Sequence, residues 1–303
     1  MICFPNAKIN LGLQVVSKRP DGYHNLETVF YPVDLCDALE IVLSETDETT
    51  FTQTGISING NPDDNLVMKA FRLLEKDFDL PKPAIYLRKE IPFGAGLGGG
   101  SADAAFMLKL LNDFAGLSLT VEQLEKYAGQ LGADCPFFIR NNPVFAEGTG
   151  NIFTPVEVSL KGYYLVLVTP DIHVSTKEAY EGIIPKQPTF RLTEIIRLPV
   201  EEWKNYMVND FEAGIFARYP ALGEIKQSLY DSGAVYASMT GSGSSVYGIF
   251  DIREKISNFE SILSSRYETV SKASCHCGHS EAETRNPQTV SIRFSGDGGS
   301  SPP

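Results

Sequence analysis

The chain has 303 residues and a mass of 33.3 kDa, with a formal net charge of −12 and a pI near 4.9. That length suffices for a sizeable core and, at roughly 150 residues per domain, for about two domains. The acidic balance excludes the basic footprint that nucleic acid or an anionic membrane surface requires, while leaving room for local anion binding. The start, MICFPNAKINLGLQVV, lacks a basic segment and a small-residue cleavage site, and no apolar run approaches the roughly 18 residues of a membrane span. Cys3, Cys36, Cys135, Cys275 and Cys277 are scattered without paired spacing, which fits a reducing compartment. A soluble, cytoplasmic protein is the expectation.

In chain order, ALEIVL (38–43) alternates so that Leu39, Ile41 and Leu43 share one side of a half-buried strand. AIYL (84–87) is a short strand leading directly into a glycine-rich loop. The stretch SADAAFMLKLLNDF is rich in helix formers, lacks Pro and Gly until Gly116, and is apolar nearly all round, so it predicts a buried helix. TVEQLEKYAGQL opens with Thr120 and Gln123 in capping-box spacing, sets Val121, Leu124, Ala128 and Leu131 on one face, and should end near Gly132.

A second unit begins at about residue 156 with the strand YYLVLV (163–168), stopped by Pro170. Helix is expected over about 210–232, and YASMTGSGSSVYGIF reads as strand, small-residue loop, strand. From 273 the sequence turns polar and Gly/Ser/Pro-rich at its end, without helical periodicity, which predicts a disordered or foreign tail over 273–303. The cluster Cys275, His276, Cys277 and His279 lies there. Its Cys-x-Cys spacing is not the usual one for zinc and no second pair follows, so no metal site is assigned.

The glycine loop has five glycines in the seven positions from Gly94 to Gly100 and contains a literal G-x-G-x-x-G. A P-loop would place a lysine after the glycines, and none follows. A Rossmann loop would be followed by a strand with an acidic residue about 20 positions on, whereas helix continues here. The lysine, catalytic-loop and metal-binding motifs of a protein kinase are missing. What remains is strand, glycine loop and buried helix, in which bare backbone N–H groups and a helix N-terminus form a phosphate cradle. A tight turn packed on a sheet would account for two of these glycines, not five.

The stretches PNAKINLGL (5–13), RPDGYHNLETVF (19–30), PFGAGLGGGSADAA (92–105), LGADCPFF (131–138), FAEGTG (145–150) and MTGSGSSVYGIF (239–250) follow one another in a familiar order. In that order and spacing the chain resembles the GHMP kinase superfamily over roughly residues 2–271. PNAKINL, RPDGYH and LGADCPFF are similar to the branch that phosphorylates a cytidine-diphosphate-linked methylerythritol in non-mevalonate isoprenoid precursor synthesis. The resemblance implies an α+β, two-domain fold, with an N-terminal ATP-binding domain over 1–155, a C-terminal domain over 156–272 and the active site in the cleft between them.

It also implies ATP along Pro92, Gly94, Ala95, Gly96, Leu97, Gly98, Gly99, Gly100, Ser101 and Ala102. Mg2+ would bridge the phosphate oxygens, although the sequence names no protein ligand for it. Lys8 and Asp134 match the family's catalytic pair, the aspartate accepting the proton of the attacking hydroxyl and the lysine offsetting charge on the transferring group. Taken alone, an Asp between Ala133 and Cys135-Pro136 reads as a helix-end or turn residue. Asn10 and Ser101 are polar neighbours for substrate and phosphates, Ser101 equally an N-cap. His24 would hydrogen-bond the cytosine edge, with the rings of Tyr23 and Tyr180 on its faces; read without the family, Asp21-Gly22 is a hairpin turn. Two other readings stay open: another GHMP small-molecule kinase of homoserine or mevalonate type, and a catalytically silent nucleotide-binding regulator, against which the presence of both Lys8 and Asp134 speaks. Nothing in the sequence sets the oligomeric state.

Overall fold

A computed structural model of the chain describes residues 1–46, 48–57, 61–252, 256, 259, 270–274 and 287–294. The longest elements are β2 (Asn6–Lys18) and β3 (His24–Cys36), which follow the two-residue β1 (Ile2–Cys3). They form an antiparallel hairpin whose turn holds Gly22 at φ 88° and lets the Arg19 N–H donate to the Tyr23 carbonyl at 2.8 Å. This is the turn expected at Asp21-Gly22. After them come β4 (Ala38–Leu43), β5 (Thr50–Gly55), α1 (Leu66–Glu75), β6 (Pro83–Lys89), α2 (Gly99–Phe114), α3 (Val121–Leu131), α4 (Cys135–Arg140), β7 (Val144–Glu147) and β8 (Ile152–Pro155).

The second half contains β9 (Tyr164–Pro170), α5 (Thr176–Tyr180), α6 (Leu192–Ile195), α7 (Glu212–Arg218), α8 (Pro220–Asp231), β10 (Tyr236–Met239), β11 (Val246–Phe250), β12 (Val270–Ser274) and β13 (Gln288–Phe294). The described residues form three sheets, in strand orders β1-β4-β6-β5, β2-β3-β7-β8 and β10-β11-β9-β13-β12. No described helix is long and apolar enough to cross a membrane.

α2 can be buried because its inward residues are small or straight-chained: Ala102, Ala104, Ala105, Leu108 and Leu111 are all fully covered, packed with Phe71, Leu87 and Phe138. α3 carries the expected capping box, the Thr120 side chain accepting the Gln123 N–H and the Gln123 side chain accepting the Thr120 N–H, and Gly132 is its C-cap. A second core joins the two halves, with Ile9, Leu11 and Tyr31 of the hairpin against Leu165, Trp203 and Tyr247. A third is built around Val166, Leu222 and Phe250 of the C-terminal half and takes in Leu13 and Val15 of β2.

Three expectations are corrected. Leu43 closes β4 at the sheet's end and is 66% exposed, so only Leu39 and Ile41 serve the core. The helix over 210–232 is two helices, because Pro220 cannot extend α7 but suits the first turn of α8. Residues 288–294, read as part of a disordered tail, instead form β13, which pairs parallel to β9 with Val290 beside Val166 and Ile292 beside Val168. Val290, Ile292 and Phe294 alternate with Ser291 and Arg293, a period of two that a search for helical periodicity passes over. Residues 273 and 274 close β12, while 275–286 and 295–303, with the Cys275–His279 cluster, lie outside the described residues.

Ile292 is fully buried in the C-terminal core. Removing 287–303 should therefore lower the melting temperature and steepen aggregation, since it strips a strand from β9; Ile292→Ala alone should cost about 2–5 kcal/mol. An unchanged thermal melt for the truncated chain would restore the tail reading.

Candidate active site

A cavity of about 580 Å³ is walled by β2, the glycine loop, the N-terminus of α4, the segment 173–176 and the β10–β11 loop. β2 contributes Lys8, only 4% exposed, and Asn10, 2% exposed. Burial pushes the Lys8 ammonium below its ordinary pKa, with the Asp134 carboxylate pulling the other way. Lys8 Nζ lies 3.6 Å from Asp134 Oδ2, donates to Asn10 Oδ1 at 2.7 Å and sits 4.5 Å from the centre of the Phe30 ring. Asp134 is the residue preceding α4, yet its side chain caps no helix N–H. It is a helix-end residue in position and faces the cavity in contact.

The glycine loop takes its shape from three left-handed residues, Gly94, Gly96 and Gly98, at φ 67°, 78° and 71°. These conformations suit glycine. At Gly96 a side chain is also blocked by the Thr240 carbonyl, 2.2 Å from where its Cβ would stand, and at Gly98 by the Phe138 ring and Lys8 Cγ. The loop is tied to β2 as well, the Lys8 N–H donating to the Leu97 carbonyl at 2.9 Å. Gly98 is the N-cap of α2, so the N–H groups of Gly99, Gly100 and Ser101 fall in the first turn, where helix geometry gives them no partner. All three residues line the cavity, so this end of a 16-residue helix presents unpaired N–H groups and the positive end of its dipole to that space, a setting that suits an anion.

A buried ionic triad anchors the loop from behind. Lys89, at the end of β6, bonds Asp37 and, at 2.6 Å, Asp103 of α2, while Asp37 Oδ1 accepts the N–H groups of Glu90 and Ile91 at 2.6 and 2.9 Å. Burial alone would lower the Lys89 pKa, but Asp103 and Asp37 outweigh it and raise it. Burial drives the Asp103 carboxyl well above the usual range, against Lys89 and with the help of Asp37.

Two family models match the chain, the GHMP kinases N terminal domain over residues 65–142 and the GHMP kinases C terminal domain over residues 192–269. The chain belongs to the GHMP kinase family. Among its relatives, the 4-diphosphocytidyl-2-C-methyl-D-erythritol kinase of Parabacteroides distasonis is 63% identical over 251 residues, 83% of this chain and 92% of that one. The Bacteroides fragilis enzyme of the same name is 61% identical over 262 residues, 86% and 96% of the two chains. A solved 4-(cytidine 5'-diphospho)-2C-methyl-D-erythritol kinase superposes with TM-score 0.75 at 29% identity, covering 88% of this chain and 96% of that one. A homoserine kinase from Cytophaga hutchinsonii, at TM-score 0.60, 20% identity and coverage of 87% and 89%, shares the fold.

In this GHMP kinase the expected site residues do not all meet at the cavity, and His24 is among those outside its lining. Lys8, Asn10, Asp134, Tyr180, Pro92 and Gly94 through Ser101 all line the cavity. Ala102 does not: its side chain is buried in the core and its N–H donates to the Gly98 carbonyl at 2.9 Å. Ser101 is the third residue of α2 and not its N-cap. Tyr23, 68% exposed, stands outside the cavity lining.

His24 and Tyr180 meet each other, from β3 and α5, stacked with centroids 4.8 Å apart and planes at 14°. Phe211 packs edge-on against Tyr180 at 4.9 Å. The imidazole expected at the cytosine edge therefore covers the Tyr180 ring expected on one face of the base in this conformation.

The β10–β11 loop carries the residues that sequence reading left unnamed. Thr240 Oγ1 accepts the Asn10 N–H at 3.0 Å and lies 3.2 Å from both Asn10 Oδ1 and the Gly96 carbonyl. Asn209 holds that loop by donating to the Met239 and Gly241 carbonyls at 2.8 and 2.9 Å. The TGSGSS motif signalled a loop, but nothing local in it told that Thr240 would reach 230 residues back along the chain.

Proposed function

We propose that the cavity transfers the terminal phosphoryl group of ATP to a hydroxyl of 4-diphosphocytidyl-2-C-methyl-D-erythritol, a step in non-mevalonate isoprenoid precursor synthesis. The observation that carries this reading is the Lys8–Asp134 pair set beside the open first turn of α2, in a chain more than three-fifths identical to kinases of that name. ATP supplies the electrophilic phosphoryl group. The first-turn N–H groups of Gly99, Gly100 and Ser101 would hold its phosphates, and Lys8 would offset the charge that spreads over the transferring group. Asp134, partly open to the cavity, would accept the hydroxyl proton. Among the described residues no group of three or more His, Cys, Asp or Glu side chains is placed to hold a metal ion. Mg2+ would be held by the nucleotide's phosphate oxygens together with waters and at most one or two protein carboxylates, as is usual for this ion.

The cytidine group would be read at the His24–Tyr180 stack, with one ring giving way to the base. Tyr180→Ala should then raise the KM of the cytidine substrate about five- to a hundredfold, the worth of one base–aromatic stack, and leave the KM for ATP nearly unchanged. Steady-state kinetics with the cytidine substrate and with methylerythritol phosphate lacking the base test the reading as a whole. Binding energy remote from the reacting hydroxyl helps to position it, so the base-free compound should be a very poor substrate. Equal kcat/KM for the two would overturn the assignment of the cytidine substrate.

A further inference from the structure

Asn10 stands two residues from Lys8 on β2, and the hydrogens around it run in one direction only. Gly12 occupies the irregularity in the β2–β3 pairing between Leu11 and Leu13, with φ at 69°. Its carbonyl is met by Thr28 Oγ1 of β3, which donates to it at 2.5 Å. A carbonyl cannot donate, so the single hydroxyl proton of Thr28 is committed there. Thr28 Oγ1 is then left to accept, and it accepts from Asn10 Nδ2 at 2.9 Å. With its amide nitrogen fixed on Thr28, Asn10 must turn its oxygen the other way, where it receives Lys8 Nζ at 2.7 Å. The Asn10 backbone is pinned as well, its N–H on Thr240 and its carbonyl accepting from Tyr247 Oη at 2.9 Å. Thr28 is 1% exposed, Asn10 2% and Lys8 4%, so water has little access to scramble the pattern.

We propose that Thr28 is a positioning residue for phosphoryl transfer: through Asn10 it fixes a carboxamide oxygen on Lys8 and so aims the ammonium between Asp134 and the glycine loop. The proposal rests on Lys8 acting as argued above. Without the Thr28 hydroxyl the Asn10 amide nitrogen loses its acceptor, and the other side-chain group on its oxygen is Thr240 Oγ1, which can give its proton to the Gly96 carbonyl instead. The amide can then rotate and present its NH2 group to Lys8, exchanging a charge-assisted hydrogen bond for a repulsion. A hydrogen bond to a charged group is worth roughly 10- to 150-fold in an equilibrium.

The neighbours of Lys8 give this rotation a readable signature. Asp134 before α4 is the charged group in contact with it, β3 offers the Phe30 ring, and the β10–β11 loop offers the neutral Thr240. Lys89 lines the same cavity with its ammonium tied to Asp37 and Asp103, and His173 stands across the cavity beside Gly94. An amide dipole reversed against Lys8 lowers its pKa further, and activity that needs the charged lysine is then lost at lower pH.

The test compares pH profiles of kcat for the parent enzyme, Thr28→Val and Thr28→Ser, with a thermal melt of each. Thr28→Val should lower kcat by roughly ten- to a hundredfold and move the alkaline limb down by about one pH unit or more, since a tenfold change corresponds to one unit. Thr28→Ser should return the limb to its parental place. A folded Thr28→Val enzyme with the parental limb overturns the proposal. Should that variant not fold, Asn10→Leu, which removes the same acceptor, must show the downward shift, and an unmoved limb there overturns it too. Lys8→Met should be inactive. Parental turnover in Lys8→Met would sink the role of Lys8 itself, whereas an inactive Lys8→Met beside an unmoved limb in Thr28→Val sinks only the inference about Thr28.

Discussion

Asp134→Asn is expected to lower kcat roughly 10²- to 10⁴-fold, the range for removing a positioned proton acceptor, with the melting temperature and the KM for ATP close to their parental values. Stability should be spared because Asp134 makes no capping hydrogen bond to α4, so the substitution removes no N-cap. Its side chain is also 32% exposed, so its ion pair with Lys8 at 3.6 Å is partly screened by water and contributes little to folding. The asparagine keeps the size and a carbonyl oxygen facing Lys8 but cannot take the hydroxyl proton. Steady-state kinetics on the folded variant decide the matter. Turnover within a few-fold of the parent would dismiss Asp134 as the base.

Lys89→Met should produce the largest loss of stability, about 3–5 kcal/mol near neutral pH, because it leaves Asp37 and Asp103 buried without their cation. The pH dependence has a definite sign. Asp103, whose carboxyl burial already drives above the usual range, binds its proton still more tightly in the fold once Lys89 is gone, so the variant's stability falls as pH rises above the unfolded carboxylate pKa of about 4. The deficit of the variant should accordingly shrink as pH is lowered from 7 toward 5, as read from urea midpoints. Asp103→Leu in the same chain should recover part of the loss, since Asp103 Oδ1 already lacks a partner. Because Asp37 holds the N–H groups of Glu90 and Ile91, just before the glycine loop, the KM for ATP should rise in the single variant. A deficit that does not change with pH would mean that the triad is held by packing and not by charge.

Local rules read the N-terminal half well. The capping box at Thr120, the turn at Gly22 and the glycine loop running into α2 each depend on residues within a few positions of one another. Lys8 and Asp134 were found by resemblance to a family, since nothing in the spacing of two residues 126 apart announces a contact. The parts that escaped are those set by distant packing. β13 was passed over because its alternation sits in a polar setting and has meaning only beside β9. The mutual stacking of His24 and Tyr180 joins the start of β3 to a short helix of the other half, and the Lys89 triad joins β6, α2 and the β3–β4 connection, which share no sequence pattern. Thr28 reads as one more β-branched strand residue until the irregularity at Gly12 turns a carbonyl toward it.

Product identification tests the central claim most directly. The protein, incubated with ATP, Mg2+ and in separate reactions 4-diphosphocytidyl-2-C-methyl-D-erythritol, homoserine and mevalonate, should yield by mass spectrometry a product one phosphoryl group heavier from the cytidine compound, with ADP in equal amount, and none from the other two. Phosphorylated homoserine or mevalonate with the cytidine compound unchanged would contradict the substrate assignment, and ATP bound but unconsumed in all three would contradict the kinase.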